Sequence, residues 1–198
     1  MKKLIKFFAA GLLLASLAAC GSDPADPSDP SDPTPVDPTP TVEAVTIAPD
    51  DIQVLDSTQS SSYEKYRGAQ EVKGLNLNLQ DVLVQNQYSP AVKVIQFKAQ
   101  IGTLTIANTK GFKSVTIKIV DSYDFNGGVS VNDQNADIAT VNAGKAATEY
   151  KSGNYDVSEF TYTITLASAP ENLVLKAVNQ KSDGSGYTAV RVTSITLA

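Results

Sequence analysis

Histidine and tryptophan are absent from this chain of 198 residues, and cysteine and methionine occur once each. Without histidine the chain cannot build a Ser-His-Asp or Cys-His catalytic site, or a metal centre with imidazole ligands. A single cysteine excludes a disulfide bond within the chain. Catalysis by paired carboxylates, as in glycosidases, is compatible with this composition. Because acidic side chains on strands and turns are ordinarily solvated, we expect no enzymatic activity.

Positive charge is also scarce. Sixteen Lys and Arg residues face 21 Asp and Glu residues, which gives a formal net charge of −5. Three of the lysines lie in the first six residues, so a chain without residues 1–19 has 13 basic residues against 21 acidic ones. Nucleic-acid binding needs a clustered basic excess, and we therefore expect no nucleic-acid partner.

Residues 1–19 have the organisation of an export signal. Three lysines precede an apolar run from Phe7 to Ala19, which is too short to span a bilayer as a permanent helix. The run ends in Leu-Ala-Ala-Cys20, which resembles the cleavage box of bacterial lipoproteins, where the cysteine thiol receives the lipid. The alternative is an ordinary secretory signal, but the position of the only cysteine favours lipidation at Cys20. The resemblance implies an exported protein that a lipid anchors to a membrane, with its domain outside the cytoplasm.

Residues 20–41 differ in composition from the rest of the chain. They hold seven of the ten prolines and five aspartates in an irregular Ser-Asp-Pro repeat. Proline removes backbone donors, and the aspartates repel one another, so we predict a disordered, extended linker. At about 3.1 Å per residue it spans roughly 60 Å. The P-x-x-P spacing also matches peptide-recognition motifs, but we favour the spacer.

Residues 42–198 predict one all-β domain. In the stretch Val94–Val120, apolar and polar residues alternate over three segments, the pattern of strands that bury one face. The turn residues from Asn108 to Gly111 predict a hairpin between the second and third of these strands. Further strands include residues 51–56, 62–67 and 137–141, and we predict no helix. Many short strands with polar outer faces indicate an antiparallel β-sandwich of the jelly-roll kind.

Two local predictions concern the core. Val190 and Val192 alternate in one phase, whereas Ile195 and Leu197 follow the other, so we predict a bulge near residues 193–194. Aromatic residues within or beside alternating strands are expected to be buried, and they are Phe97, Phe112, Phe160 and Tyr162.

The domain also resembles a known class of module. The segment Val94–Val120, with its Gly-Phe-Lys-Ser-Val-Thr-Ile turn and strand, and the closing strand Tyr187–Leu197 resemble a β-sandwich module of bacterial secreted proteins. Such modules are similar to carbohydrate-binding and discoidin-like jelly rolls. The resemblance covers about residues 60–198 and implies ligand binding. We expect no partner catalytic domain in this sequence, and the absence of Trp weakens a transfer of sugar binding.

Several tyrosines fall at strand ends and loops beside amides and charges. A sugar needs an aromatic ring for its C–H face and polar groups for its hydroxyls. The predicted ligand-binding residues are Tyr123, Asn126, Tyr155, Asp183, Tyr187 and Arg191. The alternative is that these tyrosines are ordinary strand-end residues with solvated hydroxyls.

A second loop suggests a metal. Asp133, Asn135 and Asp137 place oxygen ligands at alternate positions, as calcium loops do. The EF-hand pattern then requires Gly and an acid at later positions, where this chain has Ile138 and Gly144. We therefore predict no EF-hand, expect no cofactor, and keep a structural calcium ion as a hypothesis against the alternative of a solvated turn.

Two classes of function follow from this sequence. The first is a non-catalytic, surface-displayed lipoprotein whose β-sandwich binds a glycan or another ligand. The second is a structural or protein-interaction lipoprotein of the cell envelope, adhesin-like, which contacts another envelope protein through a sheet edge or an apolar patch.

Lipidation makes a direct prediction. Replacing Cys20 by Ser removes the thiol that accepts the lipid, so the variant should stay uncleaved or appear in the soluble fraction. Membrane fractionation and the mass of the mature N-terminus measure both effects. Normal processing together with membrane association of the Cys20→Ser variant would contradict lipidation.

Overall fold

The structure is a computed structural model that describes residues 42–121, 125–181 and 184–198. The predicted signal peptide, Cys20 and the linker lie outside these ranges. The strands are β1 Val45–Ile47, β2 Gly68–Val72, β3 Leu75–Gln80, β4 Val82–Gln87, β5 Val92–Phe97, β6 Thr103–Ala107, β7 Ser114–Asp121, β8 Val129–Val131, β9 Ala146–Ser152, β10 Tyr155–Thr165, β11 Asn172–Ala177 and β12 Val190–Leu197. No helix in the described ranges is long and apolar enough to cross a membrane.

The strands form two antiparallel sheets. The large sheet has the order β4-β5-β12-β7-β10-β9, with β1 also paired to β12, and the small sheet has the order β2-β3-β6-β11-β8. Their inner faces share one apolar core. The prediction of an all-β antiparallel sandwich is confirmed.

The core follows from the alternation in the sequence. In β3, Leu75, Leu77 and Leu79 are buried while Asn76 and Asn78 are exposed. Successive side chains of a strand point to opposite faces, so one face of each strand enters the core. The prediction of buried aromatic residues is confirmed for all four, Phe97, Phe112, Phe160 and Tyr162.

The predicted hairpin between β6 and β7 is wrong. The turn at residues 108–113 exists, but β6 lies between β3 and β11 in the small sheet, and β7 lies between β12 and β10 in the large one. The connection therefore crosses from one sheet to the other. Val42 packs on Gly111 in this connection, at the point where a β-carbon would stand, and Gly111 has a φ of 107° that favours glycine.

Three predicted strands, at residues 51–56, 62–67 and 137–141, are wrong: residues 52–56 belong to no helix or strand, and helical turns replace the other two. Pro49–Asp51 and Glu64–Tyr66 form 3₁₀ turns, and Ile138–Ala143 forms α1. The side chain of Asp137 accepts hydrogen bonds from Ala139 N at 3.1 Å and Thr140 Oγ1 at 2.6 Å. This capping starts α1, and a helix of six residues has too few turns to show a helical period in the sequence.

The predicted bulge in β12 is confirmed. The register between β12 and β7 shifts between Val192 and Ser194, so that Val190, Val192, Ile195 and Leu197 are all fully buried. The bulge lets both halves of β12 send their apolar residues into the same core.

The strand registers define the two ends of the sandwich. At one end β7 stops at Asp121, β10 starts at Tyr155 and β12 starts at Val190. The connection from β7 to β8 crosses between the sheets at this end, which we call the Asp121 end. Val42 lies at the opposite end, because β1 pairs with the last residues of β12.

The bulge can be tested by removing one residue. Deleting Thr193 would turn Ile195 and Leu197 toward solvent. Exposure of each side chain would lower the free energy of unfolding by about 1.5–3 kcal/mol. We expect the cooperative thermal melt to be lost or shifted far down. Thr193→Ala is the control, since it keeps the spacing and removes only a hydrogen bond of 3.3 Å to Lys118 O. A deletion variant that melts like the parent chain would contradict this account of β12.

Candidate functional site

Four of the six predicted ligand-binding residues lie in the described ranges, and all four belong to the Asp121 end. Asn126 follows β7, Tyr155 starts β10, and Tyr187 and Arg191 flank the start of β12. The other two, Tyr123 and Asp183, lie outside the described residues. The structure therefore brings residues that are up to 65 positions apart in sequence to one end of the domain.

Asn126 and Tyr187 belong to two loops that one buried side chain joins. Asn179 Oδ1 accepts hydrogen bonds from the backbone N–H groups of Asn126 at 3.0 Å and Gly128 at 3.3 Å, and Nδ2 donates to Thr188 Oγ1 at 2.8 Å. Asn179 is 7% exposed, so these bonds form away from water and hold the two loops together. Sequence reasoning missed Asn179, because an Asn after a strand carries no signal of this role.

The side chain of Asn126 has an unused donor. Its Nδ2 is buried and has no hydrogen-bond partner among the described residues. A buried amide without a partner costs free energy, commonly about 1–3 kcal/mol. An enclosed water molecule would satisfy this group.

Tyr155 and Tyr187 supply exposed rings. Tyr155, at the turn from β9 into β10, is 72% exposed, and Tyr187 is 43% exposed. No other aromatic residue in the described ranges is more than about a third exposed. An exposed aromatic ring leaves apolar surface in contact with water, and such rings often mark a binding surface.

Arg191 is held by the protein itself. Its Nη1 donates to Asp121 Oδ2 at 3.1 Å, and its guanidinium lies 5.8 Å from the ring centre of Tyr88. Asp121 is 3% exposed, so the pair is largely shielded from solvent. Nε of Arg191 is buried and lacks a partner among the described residues. Of the predicted ligand-binding residues in the described ranges, Arg191 has the most evident structural role.

Tyr88 belongs to a strap across the outer face of the large sheet. The connection from β4 to β5 reaches β9, where Ser89 and Lys151 exchange two backbone hydrogen bonds of 2.9 Å. Beneath it, a second apolar cluster contains Val94, Val120 and Val157. The Tyr88 hydroxyl donates to Val120 O at 2.9 Å, and burial, followed by the charge of Asp121, raises the pKa of the phenol.

The predicted calcium residues have other partners. Asp133 Oδ1 lies 3.0 Å from Lys176 Nζ, and the hydrogen bonds from Thr140 and Ala139 that cap α1 lower the pKa of Asp137. Asn135 is exposed. The described residues contain no group of three or more acidic, His or Cys side chains placed to hold a metal. Calcium at this loop stays a prediction.

Comparisons with known proteins give little further information. No protein-family model and no curated protein matches the chain. Among solved structures it is similar to an exo-β-1,3-galactanase from Phanerochaete chrysosporium, crystallised with galactose, at 18% identity and a TM-score of 0.34. The match covers 79% of this chain and 30% of the galactanase chain. A similarity this low carries no conclusion about activity.

The Arg191–Asp121 pair makes a stability prediction. Arg191→Met leaves a buried carboxylate without its guanidinium, and we expect a loss of about 3 kcal/mol in the free energy of unfolding. The double variant with Asp121→Asn should lose less than the sum of the two single variants, because the charges disappear together. Chemical denaturation measures the free energy of unfolding of the two single variants and the double variant.

The matched control is Arg67→Met. Arg67 forms an ion pair of 2.9 Å with Glu64 and a longer one of 3.6 Å with Asp81, and the Arg67 side chain is about half exposed. We expect a change of about 0.5 kcal/mol or less for this variant. Equal losses for Arg67→Met and Arg191→Met would contradict the structural role of the buried pair.

Proposed function

We propose that this chain is a non-catalytic lipoprotein, displayed outside the cytoplasm, that binds glycan at the Asp121 end of its β-sandwich. The observation that carries the proposal is the position of the two exposed rings. Tyr155 and Tyr187 are the most exposed aromatic residues of the described ranges, and both lie at this end. Sugars stack their C–H faces on such rings.

Buried hydrogen bonds that hold the loop of Tyr187 support binding at this end. Asn179 joins this loop to the loop of Asn126 through hydrogen bonds with Asn126 N and Thr188 Oγ1. A ring on a backbone that is held in this way offers a sugar a defined apolar face. Because Asn179 holds both loops, ordering them on binding costs little conformational entropy, and this favours affinity.

The position of Val42, the first residue that the structure describes, is compatible with display. Val42 lies at the end opposite Tyr155 and Tyr187. In the proposal, attachment through Cys20 and residues 21–41 leaves the binding end accessible.

Sugar binding is tested on a glycan array and by titration calorimetry with the purified full chain. A small module without Trp should bind in the range of about 10 µM to 1 mM, or roughly 4–7 kcal/mol. Tyr155→Ala and Tyr187→Ala should each weaken binding about fivefold, which corresponds to about 1 kcal/mol. Their melting temperatures should barely change, because the rings are already exposed.

Tyr155→Phe and Tyr187→Phe are the matched controls, since they keep the ring and remove only the hydroxyl. We expect these variants to retain most of the affinity. If a well-folded chain retains no glycan at millimolar concentration, or if the Ala variants bind as well as the parent, the proposed function is wrong.

A further inference from the structure

Asn126 and Gly127 form the only Asn-Gly pair in the sequence. In such a pair the backbone nitrogen of the glycine can lose its proton and attack the side-chain carbonyl carbon of the asparagine. The new C–N bond closes a succinimide ring, and the side-chain amide leaves as ammonia. Water then opens the ring to aspartate or isoaspartate. Glycine favours this reaction because it has no side chain to hinder the approach of its nitrogen.

The fold itself requires glycine at position 127. Gly127 has a φ of 120°, which favours glycine, and a β-carbon here would stand 3.0 Å from Val178 O. The N–H group of Gly127 has no hydrogen-bond partner in the part of the chain that the structure describes. The attacking nitrogen is therefore present and not engaged elsewhere.

The residues on both sides of Gly127 are held by hydrogen bonds. Asn179 Oδ1 accepts from Asn126 N at 3.0 Å and from Gly128 N at 3.3 Å. Asn126 O accepts from Gln180 N at 3.3 Å, and Gly128 O accepts from Val178 N at 2.9 Å. The segment after β11 thus fixes the N–H and C=O groups of both neighbours of Gly127.

These bonds oppose closure of the succinimide ring. Gly127 N and Asn126 O belong to one rigid peptide plane, so a turn that brings Gly127 N onto Asn126 Cγ breaks the bond between Asn126 O and Gln180 N. The same turn pulls Gly128 N away from Asn179 Oδ1. Asn179 is 7% exposed, so water cannot readily replace the broken bonds. The closed loop therefore protects a pair of residues that is reactive in an open chain.

The product of the reaction does not fit the closed loop. Nδ2 of Asn126 is buried and has no hydrogen-bond partner among the described residues. Aspartate or isoaspartate at this position would bring a carboxylate oxygen where the amide nitrogen lay, and burial of a charge costs free energy. A loop that has reacted is therefore expected to stay open.

We propose that Asn126 and Gly127 form a latent self-modification site, which Asn179 keeps closed and which an opening of the loop converts irreversibly. The reaction consumes one water molecule, releases ammonia and needs no enzyme or cofactor. It does not depend on the binding of a glycan, since every group that it uses belongs to the chain itself.

The test compares the full chain with Asn179→Ala during incubation at mildly alkaline pH. Peptide mapping by mass spectrometry detects the replacement of the Asn126 amide by a carboxyl group. Loss of two hydrogen bonds should raise the population of the open loop, and with it the rate, about tenfold or more. Asn179→Asp is the matched control, because it keeps an oxygen acceptor for both N–H groups, and it should react as slowly as the parent chain. Equal rates in the parent chain and Asn179→Ala overturn the proposal.

A second measurement covers the case in which Asn179→Ala does not fold. The parent chain is incubated in native buffer and in guanidinium chloride at the same pH. Unfolding should accelerate the reaction at Asn126 far more than at Asn154, which lies in the exposed turn between β9 and β10. If Asn126 reacts as fast in the folded chain as in the unfolded one, the loop gives no protection and the proposal is wrong.

Discussion

Burial of alternate residues between the two sheets is the constraint on which this structure depends. This constraint is most severe for β12. The strand pairs with β5, β1 and β7 and must bury residues along its whole length. A regular strand would send either Val190 and Val192 or Ile195 and Leu197 to solvent. The extra residue at the bulge resolves this conflict, and the large sheet keeps its central strand. The start of β12 in turn positions Arg191 next to Asp121.

The Asp121 end combines buried polar contacts with exposed rings. The hydrogen bonds of Asn179 and the ion pair of Arg191 with Asp121 satisfy polar groups that the crossing loops bring near the core. These contacts hold the backbone that carries Tyr187 and Asn126. In the proposed function, the exposed rings give affinity and the buried groups keep the rings in place.

Much of the fold could be predicted from the sequence because period-2 burial leaves a direct record in it. The alternation of β3 and the phase change in β12 specify which residues are buried and where the bulge falls. Alternation does not specify which sheet a strand joins, and for that reason β6 and β7 were expected to pair when they lie in opposite sheets. α1 was missed because six residues capped by Asp137 are too short for a helical period. Of the candidate site, the exposure of Tyr155 and Tyr187 agrees with their positions at strand ends, and their contact with a ligand stays a prediction. Asn179 and Tyr88 could not, because their roles depend on contacts between segments far apart in sequence.

The central claim is that the Asp121 end is the ligand-binding surface. The most direct measurement is a nuclear magnetic resonance titration of the isotope-labelled full chain with a glycan that it retains. The account predicts that the largest shifts fall on Asn126, Tyr155 and Tyr187, and that the amides of the outer strand β2 at Gly68–Val72 stay unchanged. Shifts that concentrate on a sheet face, or at the end that contains Val42 and Gly111, would contradict it.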